Sequence, residues 1–210
     1  LHGRDPAKLE QTAAEVGGDA RTVLADLASL AEVRALAAEV ERLTPELHVL
    51  VSNAGIGGGK PDGTTRQESR DGYELRFAVN YLSGFLLTEI LLPTLRRGAP
   101  ARIVNVSSAG QHPIDFDDVM ITKNYSGSRA YAQSKLSQIM FTVDLAEELK
   151  GSGVTVNSLH PATYMNTTMV RAGGITPMST VEQGGKAILH LVSGDDVADW
   201  DGAARLVQTA

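Results

Sequence analysis

Short apolar segments alternate with helix-like segments along nearly the whole chain, and this alternation restricts the fold more than any other feature. The segments Leu47–Ser52, Arg102–Ser107 and Val154–Leu159 are short and mostly apolar. Strands that helices cover on both faces have this composition. Between them, apolar residues recur at helical spacing, and Asp5 and Ser29 stand where helix N-caps are expected. We therefore predict an α/β fold in which helices cover both faces of a parallel sheet.

The same pattern gives an order of elements for the whole chain. It predicts a strand tail at Leu1–Arg4, a helix from Asp5 to about Val16, a strand at Thr22–Ala25, a helix from Ser29 to about Leu43, a strand at Leu47–Ser52, a helix over about Gly72–Leu95, a strand at Arg102–Ser107, a helix through Tyr131 to about Lys150, a strand at Val154–Leu159, a helix over Thr180–Val192 and a strand at Ala204–Val207. No repeat or linker interrupts the series. Since 42% of the 210 residues are apolar, we predict one domain over residues 1–210.

Composition excludes several classes of function. The chain has 0 cysteines, which rules out disulfides, thiol nucleophiles and cysteine-bound metals, and the net charge of −6 comes without a basic stripe for nucleic acid. The apolar stretch Phe85–Leu92 is too short to span a bilayer, and no signal-peptide pattern opens the chain. The acidic residues Asp115, Asp117 and Asp118 are more typical of an exposed loop than of a metal site. We expect a cytoplasmic protein without nucleic-acid or membrane partners and without a metal.

Tyr131 and Lys135 are the residues that indicate chemistry. Four positions apart on a helix, they lie on the same face. A nearby cation favours the phenolate, so Lys135 is predicted to lower the pKa of Tyr131 and to make it an acid or base near neutral pH. The alternative is a surface helix that carries one aromatic residue and one cation.

Other polar residues accompany this pair in a fixed order. They are Asn53, Ala54 and Gly55 directly after a strand, Asn80 within the long helix, and Ser107 with Ser108 at a strand end. The strand-end positions are expected at the carboxyl edge of the sheet, where open α/β folds bind ligands.

With these motifs in this order, the chain resembles the short-chain dehydrogenase/reductase family. The segment Arg102–Gly110 and the insert before Tyr131, Gln111–Arg129, are most similar to the retinol-dehydrogenase-like branch. The resemblance implies a Rossmann-like doubly wound parallel sheet. It also implies an NAD(P)-dependent oxidoreductase that interconverts an alcohol and a ketone or aldehyde by hydride transfer, with a small-molecule alcohol or carbonyl as substrate.

The resemblance assigns catalytic roles by position. Tyr131 would be the general acid/base, and Lys135 would depress its pKa and bind the nicotinamide ribose. Ser108 would hold the substrate oxygen, and Asn80 would support a proton-relay water. From the residues alone, the two serines are more typical of a strand end where they satisfy backbone groups, and Asn80 could be a buried amide bonded to backbone.

The resemblance also implies a cofactor site. The residues assigned to it are Arg4, Asp26, Leu27, Asn53, Ala54, Gly55, Tyr131, Lys135, Pro161, Ala162, Tyr164 and Thr167. Arg4 would bind a 2′-phosphate, which favours NADP while leaving NAD possible; the alternative is a solvated arginine ahead of a helix. Ala162 stands where the family usually has glycine, and Asn166 where it has threonine, so either Asn166 or Thr167 would contact the cofactor.

The family's glycine-rich turn has no counterpart in the chain. Its strand 1, the helix after it and most of strand 2 would precede Leu1. In the family strand order 3-2-1-4-5-6-7, this leaves a gap between the strands at Thr22–Ala25 and Leu47–Ser52 that no hydrogen bond spans. We expect the functional protein to carry further N-terminal residues with a glycine-rich turn, and the chain alone not to bind NADP(H) tightly.

The Tyr131 helix is apolar on two sides, with Leu136, Ile139, Met140 and Val143 on one and Phe141 and Leu145 toward another. A helix of this kind needs two partners, which predicts a homodimer or homotetramer.

Two other functions fit the motifs. One is a non-catalytic dinucleotide-binding or scaffold protein of the same fold. The other is a sugar-nucleotide epimerase or dehydratase, although such enzymes carry a larger C-terminal domain.

Overall fold

The computed structural model describes residues 1–59 and 63–197 and the backbone of Leu206–Gln208. Strands are β1 (His2–Gly3), β2 (Val23–Leu24), β3 (Val49–Ser52), β4 (Ala101–Val106), β5 (Val154–His160) and β6 (Leu206–Gln208). Helices are α1 (Pro6–Val16), α2 (Leu30–Leu43), α3 (Leu75–Arg97), α4 (Gly127–Glu148), α5 (Thr168–Ala172) and α6 (Val181–Ser193), followed by a 3₁₀ turn at Asp195–Val197. The helix α3 consists of Leu75–Phe77, a π-helical turn at Ala78–Leu82, and Ser83–Arg97.

The strands form two parallel sheets. One has the order β3-β4-β5-β6, with Val49 opposite Arg102 and Ala101 opposite Val154, and the other pairs β1 with β2. The predicted α/β architecture with parallel strands is therefore confirmed. In the parts of the chain that the structure describes, no strand pairing joins the two sheets, as the predicted gap requires. The beginning of the predicted last strand, at 204–205, lies outside the described residues.

Side-chain caps start the helices where the sequence predicts. The Asp5 carboxylate accepts a hydrogen bond from the Lys8 amide at 3.2 Å, and Pro6 follows at the first helical position. The Ser29 hydroxyl accepts from the Glu32 amide at 3.4 Å. Each cap satisfies a backbone donor that the helix itself leaves free.

Helices cover both faces of the four-stranded sheet. Ile103 and Val156 belong to a core cluster with Leu95 of α3 and Leu145 of α4. Val104, the next residue along β4, packs instead with Leu159 and Leu191 of α6. Because successive strand residues point to opposite faces, this division shows a sheet buried on both sides.

The helix α3 is also long and apolar enough, by length and composition, to cross a membrane, although 39% of its most apolar window is buried inside the protein. Leu91 and Leu95 of that helix are 1% and 0% exposed and lie in the core. The same composition is typical of a core helix, so it carries no conclusion about a membrane.

The carboxyl ends of β3, β4 and β5 bring three loops to one edge of the sheet. They begin at Asn53, Ser107 and Pro161. The N-terminal part of α4, which carries Tyr131, lies beside this edge, because the Ser107 hydroxyl donates to the Lys135 carbonyl at 3.0 Å. Two elements near this edge were not predicted: the π-helical turn of α3 and the short helix α5.

Candidate active site

The two serines after β4 have different surroundings. Ser107 is buried, and its hydroxyl holds the α4 backbone through the Lys135 carbonyl. The Ser108 side chain lies close enough to the Tyr131 phenol to influence its pKa, and the Ser108 hydroxyl accepts from the Gly110 amide at 3.0 Å. Ser107 therefore has the structural role that the sequence allowed for both serines. Ser108 lies where a substrate oxygen could be shared with Tyr131.

Lys135 lies almost completely buried beneath Tyr131. Its ammonium donates to the Val106 carbonyl at 2.8 Å and to the Gln138 side chain at 3.2 Å. The nitrogen is 5.9 Å from the centre of the Tyr131 ring. Burial lowers the pKa of Lys135 to about 8, because removal from water penalises the charged form.

The predicted direction of the Tyr131 pKa was wrong. Burial raises the pKa of Tyr131 above its ordinary value, and the neighbouring Ser108 side chain opposes that shift only in part. The ammonium of Lys135 lies over the ring and donates to Val106 and Gln138. Desolvation of the phenolate therefore outweighs the attraction that the spacing alone suggested.

Asn80 ties the glycine-rich loop that follows β3, residues 53–59, to α4. Its side-chain amide donates to the Ile56 carbonyl at 3.1 Å and to the Ser134 hydroxyl at 3.0 Å, and its carbonyl accepts from the Ile56 amide at 2.8 Å. The alternative of a buried amide bonded to backbone is therefore correct for this state, and the role with a relay water stays a prediction. A Cβ on Gly55 would lie 3.2 Å from Asn80 Oδ1 and 3.7 Å from Lys135 Nζ, so glycine permits this close approach.

A cavity of about 490 Å³ adjoins these residues. It is lined by Arg4, Ala28, Gly55, Ile56, Gly57, Gly59, Gln67, Leu75, Arg76, Val79, Thr168, Met169 and Ala172. Two arginines and a glycine-rich backbone suit an anionic ligand that must approach the main chain closely. The donor set therefore fits a phosphate-bearing cofactor, which would be held by Arg4 and the loop at Gly55.

The other predicted cofactor residues before α3 are not among those that line this cavity. Asp26 accepts from the Ala28 amide at 3.0 Å and faces Arg70 at 3.9 Å, next to the half-buried Leu27. Asn53 and Ala54 are exposed at the end of β3.

After β5, Pro161 is buried, Ala162 is half-buried, and Tyr164 is 47% exposed with a φ of 43°. The Thr167 hydroxyl caps α5 by accepting from the Val170 amide at 3.3 Å, and the Asn166 carbonyl accepts from Arg171. The neighbouring Thr168, which the sequence analysis did not select, lines the cavity, as do Met169 and Ala172 of the same helix.

The insert before α4 is held by residues of α4 that the sequence analysis missed. Gln133 is 1% exposed; it donates to the Val119 carbonyl at 2.8 Å and accepts from the Asp115 amide at 3.2 Å. Arg129 donates to the Asp115 carboxylate at 2.9 Å. The only sequence signal for this contact was two polar residues, Arg129 and Gln133, at helical spacing beside Tyr131.

Asp118 accepts hydrogen bonds from the Thr122 and Lys123 amides, and these bonds lower its pKa. Asp118 therefore behaves as a loop residue.

We expect the Lys135→Met variant to change how stability depends on pH. The folded-state pKa of Lys135, about 8, lies below the unfolded value of about 10.4. Between these values the unfolded chain binds more protons, so the free energy of unfolding of the parent protein rises with pH, by at most about 3 kcal/mol. Denaturant titrations from pH 7 to 10 should show this rise in the parent and a flatter profile in the variant. Parallel profiles would contradict the buried charge.

Comparisons with known proteins place the chain in a family. The model of the short chain dehydrogenase family matches residues 1–174. Retinol dehydrogenase 13 of Homo sapiens is 43% identical over 170 residues, which cover 75% of this chain and 49% of that protein. The chain thus spans about half the length of this relative.

Solved structures show the same fold. Pseudomonas aeruginosa RhlG, in an NADP active-site complex, overlaps with a TM-score of 0.71 at 29% identity, over 96% of this chain and 81% of that one. A 3-ketoacyl-(acyl-carrier-protein) reductase of Brucella melitensis overlaps with a TM-score of 0.75 at 24% identity, over 98% and 84% of the two chains. The Rossmann-like fold is thereby confirmed. Because the family model covers most of its length, the chain belongs to the short chain dehydrogenase family.

Proposed function

We propose that the protein is an NAD(P)-dependent oxidoreductase that interconverts an alcohol and a ketone or aldehyde, with Tyr131 as general acid/base. The observation that carries this proposal is the meeting of Ser108, Tyr131 and Lys135 at the carboxyl edge of the sheet. Asn80 joins the same site through Ser134 and the loop at Ile56. A hydroxyl, a phenol and a buried cation in one place can hold an oxygen and exchange its proton.

A bound nicotinamide would supply the hydride in carbonyl reduction and accept it in alcohol oxidation. In reduction, Tyr131 gives its phenolic proton to the substrate oxygen while Ser108 donates a hydrogen bond to the same oxygen. The phenolate that remains lies beside the Lys135 ammonium and regains its proton from solvent. The raised pKa of Tyr131 keeps the phenol protonated at neutral pH, which supports its role as the acid in reduction.

For the substrate we propose an apolar alcohol–aldehyde pair of the retinol and retinal kind. This extends to the present chain what the name of its 43% identical relative, a retinol dehydrogenase, says of that protein. The test is incubation of the full-length protein with NADPH and all-trans-retinal, together with a panel of other carbonyls, and chromatographic detection of the alcohol. Turnover of other carbonyls but not retinal would reject the substrate. Binding of NADPH without any turnover would favour the non-catalytic alternative.

We also propose that the cofactor is NADP(H) rather than NAD(H), because Arg4 lines the cavity and a guanidinium suits a 2′-phosphate. The Arg4→Ala variant is expected to raise the Kd for NADPH by roughly tenfold, a typical value for the loss of a charged hydrogen bond. The Kd for NADH should rise much less. Fluorescence titration of both cofactors measures this. Equal weakening of the two would contradict the assignment.

A further proposal concerns assembly into a homodimer or homotetramer through α4. Met140 and Val143 are 42% and 49% exposed on the outer face of this helix. Next to them, Phe77, Tyr81, Phe85 and Phe141 line a groove of about 510 Å³. Light scattering at micromolar concentration gives the mass in solution, and a monomeric mass would reject this assembly.

A further inference from the structure

Three polar side chains form a closed network beside the glycine-rich loop. Glu74 and Arg76 are 1% and 3% exposed. The Tyr125 hydroxyl donates to Glu74 Oε1 at 2.8 Å and accepts from Arg76 Nη1 at 2.7 Å. The two charged groups are 3.7 Å apart, so the phenol joins a buried ion pair. Such charges are costly to bury unless every group is paired.

Each member of the network also holds a different segment of the chain. Arg76 Nε donates to the Gly57 carbonyl at 2.9 Å. Glu74 Oε2 accepts from the Phe77 amide at 2.7 Å at the start of α3. Tyr125 immediately precedes Ser126, the N-cap of α4. The glycine-rich loop and the first turns of α3 and α4 are thus connected through one phenol.

The chemistry of the network makes it rigid. The guanidinium donates from two nitrogens in a fixed plane, so the directions of the Gly57 and Tyr125 oxygens are set together. Burial and the neighbouring Glu74 raise the pKa of Tyr125 to about 12, so its hydroxyl remains a donor throughout the physiological range. Arg76 lines the 490 Å³ cavity together with Arg4 and Gly55. Tyr125 and Glu74 are not among the described residues that line this cavity, so they would act on a ligand there only through Arg76.

We propose that Tyr125 and Glu74 are positioning residues for the dinucleotide. They orient Arg76, and Arg76 holds the Gly57 carbonyl so that the loop from Gly55 to Gly59 keeps the conformation that faces the cofactor. Tyr125 belongs to the insert before α4, so the insert is connected to the cofactor cavity through the bond between Tyr125 and Arg76. This inference rests on the proposed oxidoreductase function.

The test is the Tyr125→Phe variant of the full-length protein, measured by fluorescence titration with NADPH and by steady-state kinetics with the best carbonyl of the panel. We expect the Kd and the KM for NADPH to rise about tenfold, the effect of losing one hydrogen bond to a charged group. The kcat at saturating NADPH should stay within about twofold of the parent value, because Tyr131, Ser108 and Lys135 are untouched. A merely structural role would lower the folded fraction and the melting temperature and leave the Kd of the folded molecules unchanged. The matched control is Tyr73→Phe, at a 37% exposed tyrosine, which should bind NADPH like the parent.

The Arg76→Lys variant tests the same inference independently of the folding of Tyr125→Phe. It keeps the cation but loses the planar pair of donors, so it too should raise the Kd for NADPH. A Kd within about twofold of the parent in either folded variant would overturn the inference while the proposed function stands. If the parent protein itself did not bind NADPH, the proposed function would be lost, and the inference with it.

Discussion

Replacement of Tyr131 by phenylalanine is expected to lower kcat at least ~10²-fold, the usual contribution of a positioned general acid. The variant loses the one hydroxyl that can pass a proton to the substrate oxygen, while Ser108 and Lys135 remain in place. Cofactor affinity should change far less, because the glycine-rich loop and Arg4 are untouched. The measurement is kcat at saturating NADPH and carbonyl, with the Kd for NADPH determined on the same sample.

Folding is not expected to limit this experiment, because phenylalanine keeps the ring that packs over Lys135. Circular dichroism and a melting curve check it, and Tyr73→Phe again serves as control. A folded Tyr131→Phe protein with the same kcat as the parent would refute the proposed mechanism. Loss of NADPH binding in the same variant would instead assign Tyr131 to the cofactor.

The second large effect is expected at Gly127, the first residue of α4. A Cβ there would lie 2.7 Å from the Gly58 carbonyl oxygen and 2.7 Å from Gly63 Cα, and backbone atoms cannot give way as a flexible side chain can. Gly127→Ala should therefore lower the free energy of unfolding by about 1–3 kcal/mol, as overpacking does. It should also push the glycine-rich loop away from α4 and weaken NADPH binding. Chemical denaturation and the NADPH titration measure the two effects.

Gly185 provides the matched control. It lies within α6, and a Cβ added there would meet nothing within 4 Å. Gly185→Ala should therefore stabilise the protein by up to about 1 kcal/mol, because alanine loses less backbone entropy in a helix. If both substitutions stabilised the protein, the close contact between the loop and α4 would be refuted.

Much of the fold follows from local patterns in the sequence. The helices α1 and α2 begin at the predicted caps Asp5 and Ser29 because capping depends on residues within one turn. The strands β4 and β5 were predicted to within a residue at each end because both faces are covered and the segments are almost wholly apolar. The separation of β1–β2 from the larger sheet followed from the expected strand order.

The site was predictable where chemistry depends on spacing and not where it depends on surroundings. Tyr131 and Lys135 share a helix face, as their spacing predicts, whereas the catalytic role of Ser108 rather than Ser107 stays a prediction. The pKa of Tyr131 depends on how deeply the ring is buried, which no spacing reports, and its predicted direction was wrong. The bond between Tyr125 and Arg76 joins residues far apart in sequence, so no local pattern could show it.

The remaining misses are irregular pieces of backbone. The helix α5 is one short turn after a segment without periodicity, and its cap Thr167 was selected for a different reason. The π-helical turn at Ala78–Leu82 lies inside a continuous apolar helix whose composition is compatible with a regular α-helix. Asn80 within this turn bonds the loop at Ile56, and such tertiary contacts have no local signal in the sequence.

That wider turn holds one residue more than a regular α-helix would hold between the same two ends of α3. Each residue of an α-helix rotates the chain by roughly 100°, and a π turn accommodates one residue more than the α pattern does. Removal of a single residue from Ala78–Leu82 would therefore restore an unbroken α-helix in which Arg76 and the core leucine Leu95 keep nearly their present alignment. Removal of a residue from the regular part, Ser83–Arg97, would instead rotate one end of α3 by about that angle relative to the other and separate the alignment of the site from the alignment of the core. Natural variation in this protein should therefore preserve the residue count of Ser83–Arg97 more strictly than that of Ala78–Leu82.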